Sequence, residues 1–182
     1  MAIAINGSGT VTGISVGGLP DGIVDTDMLA ANAVATAKIA AGAVTAAKRG
    51  TGAVLQVVTD ADSGSFTTNS SSWQWQGLDV SITPSSSSNK VLVIVGLAMD
   101  GASNQAYMTL YRGTDNLGGS EGFGAAQADT RCISGLVYLD SPSSTSAVQY
   151  RVAVRNSNNS TTVECPPWAN GKQTITALEI AG

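Results

Sequence analysis

Beyond Ala53 the chain carries short runs in which apolar and polar residues alternate. Clusters of Ser, Asn, Gly and Pro separate these runs, a pattern that predicts β-strands with one buried face. Residues 53–182 are therefore predicted to form an all-β knob, an antiparallel β-sandwich of the jelly-roll type. The glycine-rich stretch from Gly113 to Asp129 is expected to be a surface loop. The predicted strands are Val54–Thr59, Ser65–Thr68, Trp73–Thr83, Lys90–Asp100, Gln105–Arg112, Arg131–Asp140, Ala147–Asn156, Thr161–Glu164 and Lys172–Ile180.

One predicted strand is apolar on both faces. The residues from Val91 to Val95 do not alternate with polar ones. An antiparallel sandwich strand with two apolar faces needs a second cover beyond the core. That cover is either another subunit or a loop of the same chain.

The tryptophans form a second irregularity. Trp73 and Trp75 share a strand face opposite to that of the apolar run that starts at Leu78. Either a bulge at Gly77 turns the tryptophans into the core, or they face outward, where they contact another subunit or a sugar ring. Trp168, which follows two prolines, is a further candidate for such a contact.

A ten-residue repeat precedes the knob, and its copies Asp21–Leu29, Ala31–Ile39 and Ala41–Arg49 align without gaps. Because a helix turns about 100° per residue, this period cannot keep one apolar stripe on a straight helix. Each copy is instead predicted to be an extended or turn segment and one helical turn, stable only against identical neighbours. Residues 21–52 are therefore predicted to be a homo-oligomeric stalk. The stalk contacts are expected at Val24, Met28, Leu29, Val34, Ile39 and Val44.

Residues 1–20 place apolar side chains among Gly and Ser. This pattern predicts either a short pair of strands or an extended arm that pairs with a partner protein. The residues expected to anchor it are Ile3, Ile5, Val11 and Ile14.

Composition and charge exclude several classes of function. Only 12% of the residues are charged and the net charge is −4, which argues against binding to nucleic acid or to an anionic membrane surface. No stretch approaches the ~20 apolar residues that insert across a bilayer. The first residues lack the basic and apolar segments of a signal peptide, so assembly in a cytoplasm is expected.

Histidine is absent, which removes the common nucleophilic triads and histidine metal sites. The acids of the knob show no obvious pair and are expected to be solvated loop residues rather than glycosidase carboxylates. Cys132 and Cys165 are expected to be small buried thiols, and a disulfide between them stays open. No enzymatic activity, metal or cofactor is expected.

Several segments follow one another in a distinctive order. They are Gly9–Gly22, the repeat that ends in Ala43–Lys48, then Gly52–Val58, Gly77–Val95 and Ile175–Ile180. This order resembles that of tail-fibre and related virion structural proteins of tailed bacteriophages, and the resemblance covers nearly the whole chain.

The resemblance implies a non-enzymatic homotrimeric fibre on the virion. Residues 1–20 would attach it to other virion proteins, and the knob would contact host surface polysaccharide. In one departure, the repeat begins close to Met1, where many such fibres carry a long adaptor. A capsid decoration or head-fibre protein is therefore an alternative, and a glycan-depolymerising enzyme is a second one.

Overall fold

The computed structural model describes residues 34–35, 38–45, 48–62, 64–101, 103, 105–126, 131–166 and 171–182. The chain divides into two compact units, Met1–Thr45 and Ala46–Gly182. Predictions for the arm, the first stalk repeat and the third tryptophan lie outside the described residues: Ile3, Ile5, Val11, Ile14, Val24, Met28, Leu29 and Trp168.

The second unit is all-β, with eleven strands and no α-helix among the described residues. Two long strands, Lys90–Asp100 and Arg131–Asp140, have the bounds predicted from the sequence. In chain order the strands are β1 (Val54–Asp62), β2 (Phe66–Thr68), β3 (Gln74–Ile82), β4 (Lys90–Asp100), β5 (Ala106–Arg112), β6 (Asp115–Asn116), β7 (Gly124–Ala126), β8 (Arg131–Asp140), β9 (Val148–Asn156), β10 (Val163–Cys165) and β11 (Gln173–Ile180).

The strands form two antiparallel sheets, which confirms the predicted antiparallel β-sandwich. In sheet A, β1 pairs with β11, β11 with β4, and β4 with β8. The short β10 pairs with the end of β4 and carries β2. In sheet B, β3 pairs with β9 and β9 with β5, while β6 and β7 pair with β5. The long strands alternate between the sheets along much of the chain, as in the winding of a jelly roll.

The core lies between the sheets. Along β9 the side chains of Val148, Tyr150, Val152 and Val154 are at most 9% exposed, as the alternation predicted. On β4 the inward residues from Val91 to Leu97 are buried opposite them. Burial of a large apolar side chain contributes roughly 1.5–3 kcal/mol, so this shared core provides most of the stabilisation of the sandwich.

The stretch from Gly113 to Asp129 is not one open loop as expected. Its described part contains β6 and β7, which both pair with β5. The hydroxyl of Thr109 donates to Asn116 Oδ1 at 2.6 Å, and Asn116 Nδ2 donates to the carbonyl of Gly119 at 2.7 Å. Strands of two or three residues are too short to show alternation in the sequence. These strands are stabilised in part by hydrogen bonds of the Asn116 side chain, which an apolar pattern does not reveal.

The expectation of solvated acids is wrong at two positions. Asp140 is 5% exposed and Glu179 is 1% exposed, and both have polar partners from other strands and loops. The sequence could not show this burial, because the partners lie at distant positions of the chain.

Both cysteines are free thiols. Cys165 is buried and Cys132 is half-buried against the core. Burial raises the pKa of Cys165 to about 12, so this thiol stays protonated and acts as a small apolar side chain. The described residues contain no helix long and apolar enough to cross a bilayer.

Candidate functional site

The outer face of sheet B carries aromatic and arginine side chains. On β9 the core-facing and outward positions alternate, so Arg151 and Arg155 point away from the core. Their partners across the sheet are Tyr111 and Tyr107 on β5. The aromatic–arginine face comprises Trp73, Trp75, Tyr107, Tyr111, Arg151 and Arg155.

Strand β3 contains an irregularity at the predicted place, but it does not bury the tryptophans. The register against β9 shifts between Trp75 and Asp79, and Gly77 has a φ of +106°. Only glycine adopts this φ without strain. Gln76 is 2% exposed and occupies the inward position, whereas Trp75 is 46% exposed. Of the two interpretations of the sequence, the outward one describes Trp75.

Trp75 is held from two sides. The guanidinium carbon of Arg151 lies 3.8 Å from the centroid of the Trp75 ring. Tyr111 meets Trp75 edge-on, with ring centroids 4.7 Å apart. Arg151 in turn donates to the carbonyl of Gly113 at 3.0 Å. One face of the indole is thus stacked on a cation, which fixes the ring while about half of the side chain stays in contact with solvent.

A second stack lies beside the first. The guanidinium carbon of Arg155 lies 4.2 Å from the Tyr107 ring centroid and 5.1 Å from that of Trp73. Arg155 also forms an ion pair with Glu121 at 3.2 Å. The side chain of Arg155 is only 14% exposed, so the cation holds the neighbouring rings in place rather than forming a free charge on the surface.

A glycine-rich turn packs closely against this face. Gly122 has a φ of +74°, and a Cβ there would overlap the carbonyl oxygen of Met108 and lie 2.8 Å from the Trp73 ring. Gly119 has a similar φ of +67° but open space around it. The absence of a side chain at Gly122 therefore lets the turn approach β5 and Trp73.

We expect Gly122→Ala to lower the free energy of unfolding by about 2 kcal/mol or more, through backbone strain and steric overlap. Gly119→Ala is the matched control, because it adds the same methyl group at the same backbone conformation without overlap, at a cost of about 1 kcal/mol. Urea unfolding monitored by tryptophan fluorescence measures both. Equal losses for the two variants would show that the close approach is unimportant.

The outer face of sheet A is apolar. Ile133 is 81% exposed, Val137 68% and Leu139 49%, all on β8. Ile94 on the adjacent β4 pairs with Val137 and is 40% exposed. The apolar face comprises Val57, Leu92, Ile94, Ile133, Val137, Leu139 and Leu178.

Sequence reasoning anticipated only part of this surface. The second apolar face of β4 was recognised, but the equivalent pattern in β8 was not. From Ile133 to Leu139 that strand carries apolar residues on both faces. The arginines and tyrosines of the aromatic–arginine face were also missed as site residues, because their stacking depends on strand pairing.

The ten-residue repeat is also a repeat of conformation. The amide of Ala43 donates to Ala40 O at 3.0 Å, and ten residues later Ala53 donates to Gly50 O at 3.1 Å. Gly42 and Gly52 have φ values of +80° and +85°. The valines at the fourth position of the repeat are exposed, 56% at Val34, 51% at Val44 and 45% at the equivalent Val54, as is Ile39 at 45%. Val54, the first residue of β1, was not recognised as a continuation of this series.

The buried acids do not form a pair. Asp140 and Glu179 are both opposite Val91 of β4, one on each side, so a fully buried side chain separates them. Asp140 contacts Arg112 and Tyr150, whereas Glu179 contacts the loop after β3. The described residues contain no group of three or more metal-ligating side chains.

No model of a known protein family matches the sequence, and no curated protein is similar to it. Among the solved structures, the chain matches the infectious bursal disease virus VP2 subviral particle with a TM-score of 0.36 and 12% identity. The match covers 70% of this chain and 37% of that chain, so this chain spans little more than a third of that protein's length. At this identity and score the likeness assigns neither a family nor a function.

Proposed function

We propose that this chain is a non-enzymatic structural protein of a virion, a short homotrimeric tail fibre that contacts the host surface. The repeat is the observation that carries the proposal. Val34 and Val44 recur with the ten-residue period and leave about half of each side chain exposed in the single chain. Such modules lack a core of their own and become stable when identical chains cover their apolar side chains.

The resemblance to phage tail fibres supports the location on a virion. The chain combines the repeat with an antiparallel β-sandwich, and this combination supports the proposal. In this proposal residues 1–20 attach the fibre to other virion proteins, and assembly takes place in the host cytoplasm. Deletion of residues 1–20 should release the protein from the phage tail. Release from the capsid instead would favour a head-fibre or decoration protein.

The mass of the full-length protein in solution tests the homotrimer directly. Analytical ultracentrifugation should give three times the single-chain mass of 18.3 kDa. A monomer of 18.3 kDa with an ordered repeat would contradict the proposal.

The aromatic–arginine face is the proposed contact with host polysaccharide. An aromatic ring with one free face is a suitable platform for a sugar ring, and Trp75 is already fixed by Arg151 and Tyr111. A fixed platform loses little side-chain entropy on binding. Trp73 lies in the adjacent stack and would extend the contact, and Trp168 stays a prediction.

We expect Trp75→Ala to weaken binding to a bacterial polysaccharide about tenfold, equivalent to ~1.4 kcal/mol. Trp75→Phe retains an aromatic ring and should retain most of the affinity. An array of bacterial capsular polysaccharides and lipopolysaccharides, followed by titration of the best binder, measures both variants. Unchanged binding by Trp75→Ala would exclude the aromatic–arginine face as the polysaccharide contact. The proposed homotrimeric fibre would then still be tested by the mass measurement.

The absence of catalysis is also part of the proposal. Asp140 and Glu179 are separated by Val91 and occupied by structural partners, whereas glycosidases place two carboxyl groups on either side of a bound sugar. Incubation of the purified protein with the bound polysaccharide should release no new reducing ends. A time-dependent release would support the depolymerase alternative.

A further inference from the structure

We propose that other copies of this chain cover the apolar face of sheet A in the assembled protein. This inference rests on the proposed homotrimer and identifies the surface through which its knobs meet. The partner at this surface is therefore a second copy of the same sandwich. The experiment below distinguishes a failure of this inference from a failure of the proposed homotrimer.

Strand pairing aligns uncharged side chains across the whole width of sheet A. Neighbouring strands place their outward residues side by side, so each row crosses β1, β11, β4 and β8. The first row is Val57, Leu178, Leu92 and Leu139, and the second is Thr59, Thr176, Ile94 and Val137. Neither row contains a charge. The ion pair between Arg131 and Asp100 lies at one end of the face.

The exposure of β8 is unusual for a surface strand. It is an edge strand of sheet A among the described residues, and Ile133 and Val137 on it are 81% and 68% exposed. Soluble proteins protect exposed edge strands with charges, prolines, bulges or a cover, because an apolar edge promotes association. The interior of β8 has no charge or proline between Arg131 and Asp140. Association with a copy provides the missing protection.

Two glycines lower the centre of the face. Gly96 on β4 pairs with Gly135 on β8, between the row of Val137 and the exposed Ile133. Glycine inside a strand weakens the strand and commonly marks a place where another chain approaches closely. The pair carries no side chain, so the backbone beside Ile133 is open to close approach by a copy, except where the hydroxyl of Thr174 lies near Gly96.

The size and chemistry of the face fit a copy of the chain better than a sugar. Four strands and about four rows cover roughly 500 Å². In the proposed trimer three such faces meet around one axis and bury about 1,500 Å² in total, or about 500 Å² at each pair of chains, which adds to the contacts proposed for the stalk. Polysaccharides need hydrogen-bonding groups, which this face lacks apart from its threonines, whereas an uncharged face does not repel its own copy.

Along the sequence, the repeat precedes β1, the first strand of the apolar face. Val54 is the ten-residue equivalent of Val34 and Val44 and is also exposed, and β1 continues from it to Val57 on the apolar face. The exposed valines of the repeat therefore continue, along the sequence, into the strand that begins the face.

Thiol labelling of the full-length protein tests the inference. Val137→Cys places a thiol at the centre of the face, and Ser81→Cys places one at an exposed position on sheet B. We expect a maleimide to label residue 137 at least about tenfold more slowly than residue 81 under native conditions, and equally fast in denaturant. Fragment masses distinguish residue 137 from the native Cys132. Circular dichroism checks folding, and Leu139→Cys replaces Val137→Cys if the latter fails to fold.

Each outcome has a distinct meaning. Equal native labelling rates in a protein of trimeric mass would overturn the apolar face as the interface and leave the homotrimer intact. A single-chain mass would overturn the homotrimer, and with it this inference. Slow labelling at residue 137 together with a single-chain mass would show that the chain covers the face itself, which also overturns the inference.

Discussion

Replacing Glu179 with glutamine should lower the free energy of unfolding by about 3 kcal/mol at pH 7. Glu179 is 1% exposed and accepts four hydrogen bonds. Ser85 donates its amide at 2.6 Å and its hydroxyl at 2.8 Å, Gln56 donates at 2.7 Å, and Asn89 Nδ2 donates the fourth. A glutamine amide would direct N–H groups at some of these donors and leave a buried donor unpaired.

The stabilisation by Glu179 is also expected to depend on pH. Burial alone would raise the pKa of Glu179, but the hydrogen bonds from Asn89, Ser85 and Gln56 outweigh it and lower the pKa below its ordinary value. The folded protein therefore binds this proton less readily than the unfolded chain. Ionised Glu179 stabilises the fold above the ordinary pKa of glutamate, and this stabilisation is lost as the pH falls through the lowered pKa.

Urea unfolding at fixed protein concentration, at pH 7 and again below about pH 4, measures both effects. The difference between wild type and Glu179→Gln should shrink at the lower pH. Glu164→Gln is the matched control, because Glu164 is only half-buried and forms one long bond of 3.4 Å with Ser65. Equal stability of the two variants at pH 7 would contradict the structural role of Glu179.

Removal of the Asp140 carboxylate should lower the free energy of unfolding by about 3 kcal/mol. Asp140 on β8 of sheet A accepts a hydrogen bond from Tyr150 at 2.6 Å and forms an ion pair with Arg112 at 3.0 Å, both on sheet B. Asp140→Ala leaves the buried hydroxyl of Tyr150 without its acceptor. Arg112 would still form its ion pair with the exposed Asp115 at 3.4 Å. The expected decrease in the free energy of unfolding is therefore near the lower end of the range for a broken buried ion pair.

Tyr150→Phe is the smaller perturbation of the same cluster. Burial, together with the hydrogen bond to Asp140, raises the pKa of Tyr150, so its hydroxyl remains a donor at neutral pH. Its removal should cost about 1 kcal/mol, because Asp140 keeps Arg112. A double-mutant cycle measured by urea unfolding then isolates the coupling between Asp140 and Tyr150. Additive losses would show that the two residues act independently.

The long strands were predictable because polar turn residues bound runs that are either alternating or apolar throughout. β4 and β8 have their predicted bounds, and Val148–Val154 on β9 faces inward as expected. β6 and β7 were missed because two or three residues cannot display a period. At Gly77 the sequence left two alternatives open, a bulge that buries the tryptophans or tryptophans that face outward. It could not choose between them, since the inward position of Gln76 depends on the register with β9.

The candidate site also contains features that the sequence could predict and features that depend on strand pairing. The outward tryptophan was one of two interpretations. Its stacking partners Arg151 and Tyr111 became visible only in the sheet, where β9 pairs with β3 on one side and with β5 on the other. The burial of Glu179 was invisible, because its donors at Ser85 and Gln56 lie far away in the chain.

By itself, the sequence determined the features that depend on local periodicity: the all-β knob, its long strands and the ten-residue repeat. Side-chain alternation is a property of the strand itself and needs no knowledge of neighbours. Only the tertiary structure decided which strands are adjacent. Pairing across distant positions joins the apolar positions of β4 and β8 into one face and stacks the arginines of β9 on rings from β3 and β5, and it also encloses Glu179 and Asp140 among their partners.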